Sequence, residues 1–168
     1  GYELDEFQEL AGAALREAEG VVVSAPTTSG KTTVALLALS LSLRRPGRAV
    51  FCAPIKALSN QMFSEFHARF PGHVGLLTGD HCIGHESPIL VMTTEILRCL
   101  LHNDADFVLA LRVVVFDEVH FLSDRERGPA WEECIALLPP GVPIVCLSAT
   151  MSNPIILAGW LAKTKCSP

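Results

Sequence analysis

Short β-branched apolar runs alternate along this chain with stretches of helical periodicity, and most of the runs end in a compact polar motif. Runs at residues 21–25, 48–53, 74–77, 89–92, 113–116 and 144–147 read as strands. Leu4, Phe7, Leu10, Ala11, Ala14, Leu15 and Ala18 fall at helical spacing, and so do stretches at 32–43, 56–70, 94–102, 129–138 and 153–162. Runs apolar throughout, rather than on alternate residues, suit strands covered on both faces, as in a parallel sheet. The expected fold is therefore α/β, a mainly parallel sheet flanked by helices in three layers. In such sheets ligands bind outside the C-terminal ends of the strands, where the polar motifs of this chain fall.

Length and composition narrow the reading. The chain has 168 residues, which suits one domain over 1–168, and 49% hydrophobic content excludes a disordered chain. Thirteen Lys+Arg against eighteen Asp+Glu give a net charge of −5, so any nucleic-acid partner has to be held by local groups rather than by a global positive field. The charge-free stretch 134–162 is long enough to span a bilayer, but Pro139, Pro140, Gly141, Pro143 and Pro154 break it up. Glu3, Asp5, Glu6 and Glu9 near the start are the opposite of a secretory signal, and Gly1 in place of Met suggests a piece of something longer. Six scattered cysteines without a C-x-x-C pair suit reduced thiols and an intracellular setting. His73, His81, Cys82 and His85 lack zinc-finger spacing and read as a polar surface loop.

Three motifs carry chemistry. Ala25-Pro26-Thr27-Thr28-Ser29-Gly30-Lys31-Thr32 lies between a strand and a helix and matches a phosphate-binding loop, with Ala25 at the usual first glycine. Backbone N–H groups at such a helix start wrap an anion, Lys31 would reach the terminal phosphates and Thr32 would bind magnesium. Asp117-Glu118-Val119-His120 follows the strand at 113–116; one carboxylate there can hold magnesium and its neighbour can deprotonate water. Ser148-Ala149-Thr150 ends another strand, where hydroxyls alone would be read as strand-end capping. Together the motifs describe a site for hydrolysis of a nucleoside triphosphate, with the two acids expected on a segment adjoining the phosphate-loop strand.

That combination resembles the first RecA-like domain of superkiller-type DExH-box RNA helicases, the exosome-associated group. The resemblance covers about residues 4–161 and includes further blocks: Pro54-Ile55-Lys56-Ala57-Leu58-Ser59-Asn60-Gln61, Leu77-Thr78-Gly79-Asp80, Met92-Thr93-Thr94-Glu95-Ile96-Leu97, and the extension Asp124, Arg127-Gly128, Trp131-Glu132-Glu133. It implies ATP and magnesium as cofactors, with residues 25–32 around the phosphates and Gln8 reading adenine. It also implies Thr32 and Asp117 at the metal, Glu118 as general base, and His120, Ser148 and Thr150 as coupling groups. Pro54, Lys56, Thr78, Gly79, Thr93, Thr94 and Glu95 would contact the RNA backbone without reading bases. An exposed place on an amphipathic helix is the other reading of Gln8. Trp131 and Phe121 are expected to pack in the core rather than stack on bases.

The resemblance further implies a second RecA-like domain with an arginine finger, which this chain lacks. Such a finger is worth about 10³–10⁵ in rate, so the piece by itself is expected to bind ATP weakly, hydrolyse it slowly and unwind nothing. Partners would be RNA and, through the parent protein, the exosome or its adaptors. A DNA helicase of the same superfamily is the nearest alternative. A small-molecule kinase leaves the blocks at 93–95 and 148–150 unexplained, and a non-catalytic module leaves Lys31, Thr32, Asp117 and Glu118 without a purpose.

Overall fold

The computed structural model describes residues 5–17, 20–26, 30–149 and 153–165. The elements are α1 (Glu6–Glu17), β1 (Gly20–Ser24), α2 (Lys31–Ser42), β2 (Arg48–Ala53), α3 (Lys56–Arg69), β3 (Val74–Leu77), β4 (Cys82–Ile83), β5 (Ile89–Thr93), α4 (Thr94–Asn103), α5 (Ala105–Ala110), β6 (Leu111–Phe116), a 3-10 turn (Val119–Ser123), α6 (Gly128–Leu137), β7 (Ile144–Ser148) and α7 (Pro154–Lys165). The strands form one sheet in the order β1-β7-β6-β2-β5-β3-β4. All pairs are parallel except β3 with β4.

The continuous apolar runs are buried on both faces, as β5 and β7 illustrate with every residue buried. Alternate residues of each strand feed two separate cores. Phe51, Val91, Val115 and Val145 join Val34, Leu39 and Phe66 under α1, α2 and α3. Cys52, Met92, Phe116 and Cys146 join Leu97, Trp131, Ile135 and Leu161 under α4 to α7. Each face has an aromatic pair tying a helix to the sheet. Phe51 meets Phe66 edge-on at 5.0 Å, and Phe116 meets Trp131 at 5.4 Å. Trp131 is thus a core residue, as its place on the apolar stripe of α6 implies.

Two elements were not legible from periodicity. β4 has two exposed residues, and α5 has six, nucleated where the Asp104 carboxylate accepts the Phe107 N–H at 2.9 Å. Both are too short to show a period. β6 starts two residues before the apolar run because Arg112 lies along the strand edge, with its Nε donating to the Pro46 carbonyl at 2.9 Å. In the polar loop, Cys82 is exposed and His85 pairs with Glu86 at 3.0 Å. No helix among the described residues is long and apolar enough to cross a membrane.

Candidate functional site

The motifs fall in sequence along the C-terminal edge of the sheet. β1, β7 and β6 carry the phosphate loop, Ser148 and Asp117-Glu118; β2, β5 and β3 carry Pro54–Lys56, Thr93–Glu95 and Thr78–Gly79. The two acids do not lie on a strand beside β1, as the sequence suggested. β7 intervenes, paired through Val21↔Val145 on one side and Val115↔Val145 on the other. The spacing of parallel strands thereby leaves the width of one strand between phosphate loop and acids, and Ser148 fills it.

Among the described residues, helix α2 begins without a side-chain partner for its first N–H groups, although the Thr33 N–H donates to the Gly30 carbonyl at 2.9 Å. Gly30 has φ 77°, its cap position supplies no side-chain acceptor, and the first turn holds no acid. A free helix start is the positive end of a dipole. Lys31 adds an ammonium there, buried at 6% exposure, whose Nζ has no hydrogen-bond partner among the described residues. A buried, unpaired cation on a positive helix end is costly unless an anion completes it. Gly30 is doubly constrained: its left-handed backbone strains any other residue, and a Cβ there would sit 2.7 Å from Gln8 Nε2.

Gln8 is not on an exposed helix face. It is 3% exposed, its Oε1 accepts the Asp5 N–H at 3.1 Å, and its Nε2 donates to the Gly30 carbonyl at 3.2 Å. The first of these bonds is a capping-box contact that starts α1; the second ties α1 to the phosphate loop. Each amide atom keeps one further lone pair or N–H, so a bound ring with paired donor and acceptor remains within its capacity.

Opposite Lys31, burial pushes the Asp117 carboxyl up to about 6, with the Glu118 charge as the next contributor. The Glu118 N–H bonded to Asp117 Oδ1 at 2.9 Å and the nearby Lys31 charge pull the other way. The amine and the acid therefore feel each other across the site without closing to an ion pair. Glu118 occupies the left-handed region at φ 51°, ψ 45°, uncommon for a residue with a Cβ. This twist turns its carboxylate back across β7. Oε2 accepts the Ala149 N–H at 3.4 Å and meets His120 Nδ1 at 3.1 Å, which leaves Oε1 to take a proton.

The second group of residues is brought together only in part. Pro54, Lys56, Gly79, Thr93 and Glu95 line one open groove of about 360 Å³, joined by Arg127, which had no assigned role. Lys56 Nζ holds Asp80 Oδ2 at 2.6 Å, which keeps the Asp80 carboxyl below its ordinary range. Thr78 and Thr94 face inward. The Thr78 hydroxyl accepts the His81 N–H at 3.1 Å, and Thr94 is 1% exposed. Any ligand contact from Thr94 in this conformation has to come from its main chain. Ser148 is fully buried, and its carbonyl accepts the Ala25 N–H at 3.3 Å, joining β7 to the phosphate loop. Thr27, Thr28, Ser29 and Thr150 lie outside the described residues.

Among the described residues, three buried side-chain polar atoms have no hydrogen-bond partner: Lys31 Nζ, Thr94 Oγ1 and Ser148 Oγ. Buried polar groups are paired almost everywhere in native proteins, so orphans mark places to explain. All three belong to motifs picked out in the sequence.

A parallel α/β sheet whose edge joins an uncapped helix start with a buried lysine to a desolvated acid pair defines a nucleotide-binding domain of the phosphate-loop class. The comparisons with known proteins narrow this. Residues 5–157 match the DEAD/DEAH box helicase family, and the chain belongs to that family. It is 48% identical over 161 residues to a probable helicase, HelY, of Mycobacterium leprae, covering 95% of this chain and 18% of that protein. It is 47% identical to the DExH-box ATP-dependent RNA helicase DExH11 of Arabidopsis thaliana, covering 98% and 12%. It is 45% identical to the Superkiller complex protein 2 of Mus musculus, covering 98% and 13%. The chain thus spans under a fifth of the length of these relatives. Among solved structures, the DUF1998 helicase MrfA bound to DNA and AMPPNP shares the fold, with a TM-score of 0.77 at 21% identity over 94% of this chain and 26% of that one.

Proposed function

We propose that this chain is the ATP-binding domain of an ATP-dependent RNA helicase, the first of two RecA-like domains, and that its hydrolysis drives movement along RNA. The observation that carries the reading is the buried, unpartnered Lys31 ammonium on the open start of α2, facing Asp117. A triphosphate satisfies both the N–H groups and the ammonium. Gln8, held against the Gly30 carbonyl, is placed to sense a base above the loop. Thr32 and Asp117 would hold magnesium, which would neutralise developing phosphate charge. Glu118 takes the proton from the attacking water, with His120 and the Ala149 N–H fixing its other oxygen.

What supports RNA as the polymer is that relatives near half identity are named as RNA helicases; contacts to phosphates alone do not distinguish RNA from DNA. The resemblance to superkiller-type helicases extends the proposal to RNA decay, with the exosome or its adaptors as partners of the intact protein. The five described cysteines are free, which suits a reducing intracellular compartment. Replacing Glu118 with Gln in the intact protein should cut ATP turnover by about 10²–10⁴-fold while bound ATP is retained. Turnover at the native rate would remove Glu118 from the base role. Stimulation of the ATPase by DNA in preference to RNA would favour the DNA-helicase alternative.

A further inference from the structure

The stretch after the two acids contains one residue that the site leaves without a task. Asp124 Oδ1 accepts the Glu126 and Arg127 N–H groups at 2.9 and 3.0 Å, and its carboxyl is held low by them. Gly128 allows α6 to pack on the 3-10 turn, since a Cβ there would run into the Leu122 carbonyl. Trp131 is in the core, and Glu133 binds His102 at 2.7 Å and Arg98 at 3.5 Å. Arg127 itself is exposed and makes no ion pair among the described residues.

Its position is nevertheless specific. The guanidinium lies 5.3 Å from the centroid of the Phe121 ring. Phe121 stacks on His120 at 4.7 Å with 28° between the planes, and His120 Nδ1 reaches Glu118 Oε2 at 3.1 Å. Arg127 also lines the groove with Lys56, Gly79, Thr93 and Glu95. A continuous file of side chains therefore runs from that groove to the carboxylate that activates water.

The geometry points to Arg127 as a backbone-phosphate sensor of the groove that positions Glu118 through Phe121 and His120. This rests on the helicase reading above and adds the route by which RNA reaches the base. The guanidinium has two competing resting places. The face of an aromatic ring holds it weakly at an exposed site, whereas a phosphate takes it through paired, charge-assisted hydrogen bonds. Lys56 shares its charge with Asp80 at 2.6 Å, whereas Arg127 makes no ion pair among the described residues, so Arg127 is available to an arriving phosphate. Its shift from Phe121 toward a phosphate resets the Phe121–His120 stack and with it the position of His120 against Glu118, so a side chain without the guanidinium transmits nothing. Buried Val119, which precedes His120 in the short 3-10 turn, keeps the backbone still, so the side chains carry the change.

The test is ATPase rate against RNA concentration in the intact protein, which separates half-saturation from maximal stimulated turnover. Arg127→Ala should raise the half-saturating RNA concentration and lower stimulated kcat at least fivefold. Arg127→Lys keeps the charge but not the planar fork, so it should restore most of the RNA affinity without the stimulation. Phe121→Leu should leave half-saturation within about twofold while lowering stimulated kcat, and Phe121→Tyr should rescue it. The double variant Arg127→Ala, Phe121→Leu should lose no more stimulated kcat than Arg127→Ala alone, since both act on one file. Wild-type stimulation in Arg127→Ala, or in Phe121→Leu, overturns the relay and leaves the helicase reading standing. A wild-type protein whose ATPase responds to no nucleic acid overturns both.

Discussion

The two halves of the sheet's C-terminal edge are built on opposite electrostatic plans. The half formed by β1, β7 and β6 keeps charges unsatisfied: a buried ammonium without a partner among the described residues and a carboxyl raised to about 6 by desolvation. The half formed by β2, β5 and β3 pairs Lys56 with Asp80 and closes the Thr78 hydroxyl on a turn at His81, and its buried unpartnered atom among the described residues, Thr94 Oγ1, is uncharged. Preorganised, water-poor charge suits tight capture of a small, highly charged ligand. Exposed, self-satisfied groups suit a polymer that has to be held and released repeatedly.

Removing the charged groups of the first half should therefore destroy function while helping the fold, and removing Lys56 from the second should do neither strongly. The largest effect is expected at Lys31→Met, which removes the buried ammonium but keeps most of its stem. ATP turnover should fall by at least about 10²-fold, while the free protein melts no lower than the native one. A drop of several degrees in Tm would mean that Lys31 is paired in the free protein.

Asp117→Asn comes next. The folded state holds the Asp117 proton more tightly than the unfolded chain, whose carboxyl titrates near 3.8. The associated stability is therefore fully present below pH 3.8 and is lost as pH rises through about 6. That loss is at most about 3 kcal/mol. At pH 7 Asp117→Asn should consequently raise the melting temperature by a few degrees while abolishing magnesium-dependent turnover. Thermal melts between pH 4 and 7 should show the gap opening with pH; a gap that closes would reverse the sign of the argument.

A smaller effect is expected at Gln8→Ala, which removes one of the two donors to the Gly30 carbonyl, the Thr33 N–H remaining, and breaks the capping contact at Asp5. The stability cost should be about 1–3 kcal/mol, and preference for ATP over other triphosphates should weaken in a competition assay. The smallest is Lys56→Ala in the groove. RNA half-saturation should rise a few-fold, with the slope of log affinity against log salt reduced by about 0.7 in a titration with single-stranded RNA. An unchanged slope would leave Lys56 bound to Asp80 throughout.

Much of the candidate site was legible before the fold because its residues are contiguous. A strand–turn–helix junction with Gly30-Lys31-Thr32 and an apolar run ending in Asp117-Glu118 are short-range patterns, set by the strand and helix periods around them. Gln8 was only half legible, because an amphipathic helix shows which residues are polar but not that one polar residue is pressed against a loop 22 positions away. Arg127 was visible within a motif, yet its place over Phe121 and in the groove depends on where α6 packs. The motif resemblance puts Thr78, Thr93 and Thr94 together against the RNA backbone without saying which hydroxyls face it. Burial of Thr94 and the Thr78 turn show that neighbouring hydroxyls can serve the scaffold instead.

The order of residues alone determined that this chain forms apolar strands covered on both sides and that its reactive groups sit where strands end, since both follow from side-chain period and turn chemistry. Only the tertiary structure decided that β7 separates the phosphate loop from the acids, that Lys31 is buried with no partner among the described residues, and that Glu118 twists into the left-handed region to reach His120. These depend on which strands pair and how deeply the helices cover them, and pairing and burial are set by long-range packing that no local pattern encodes.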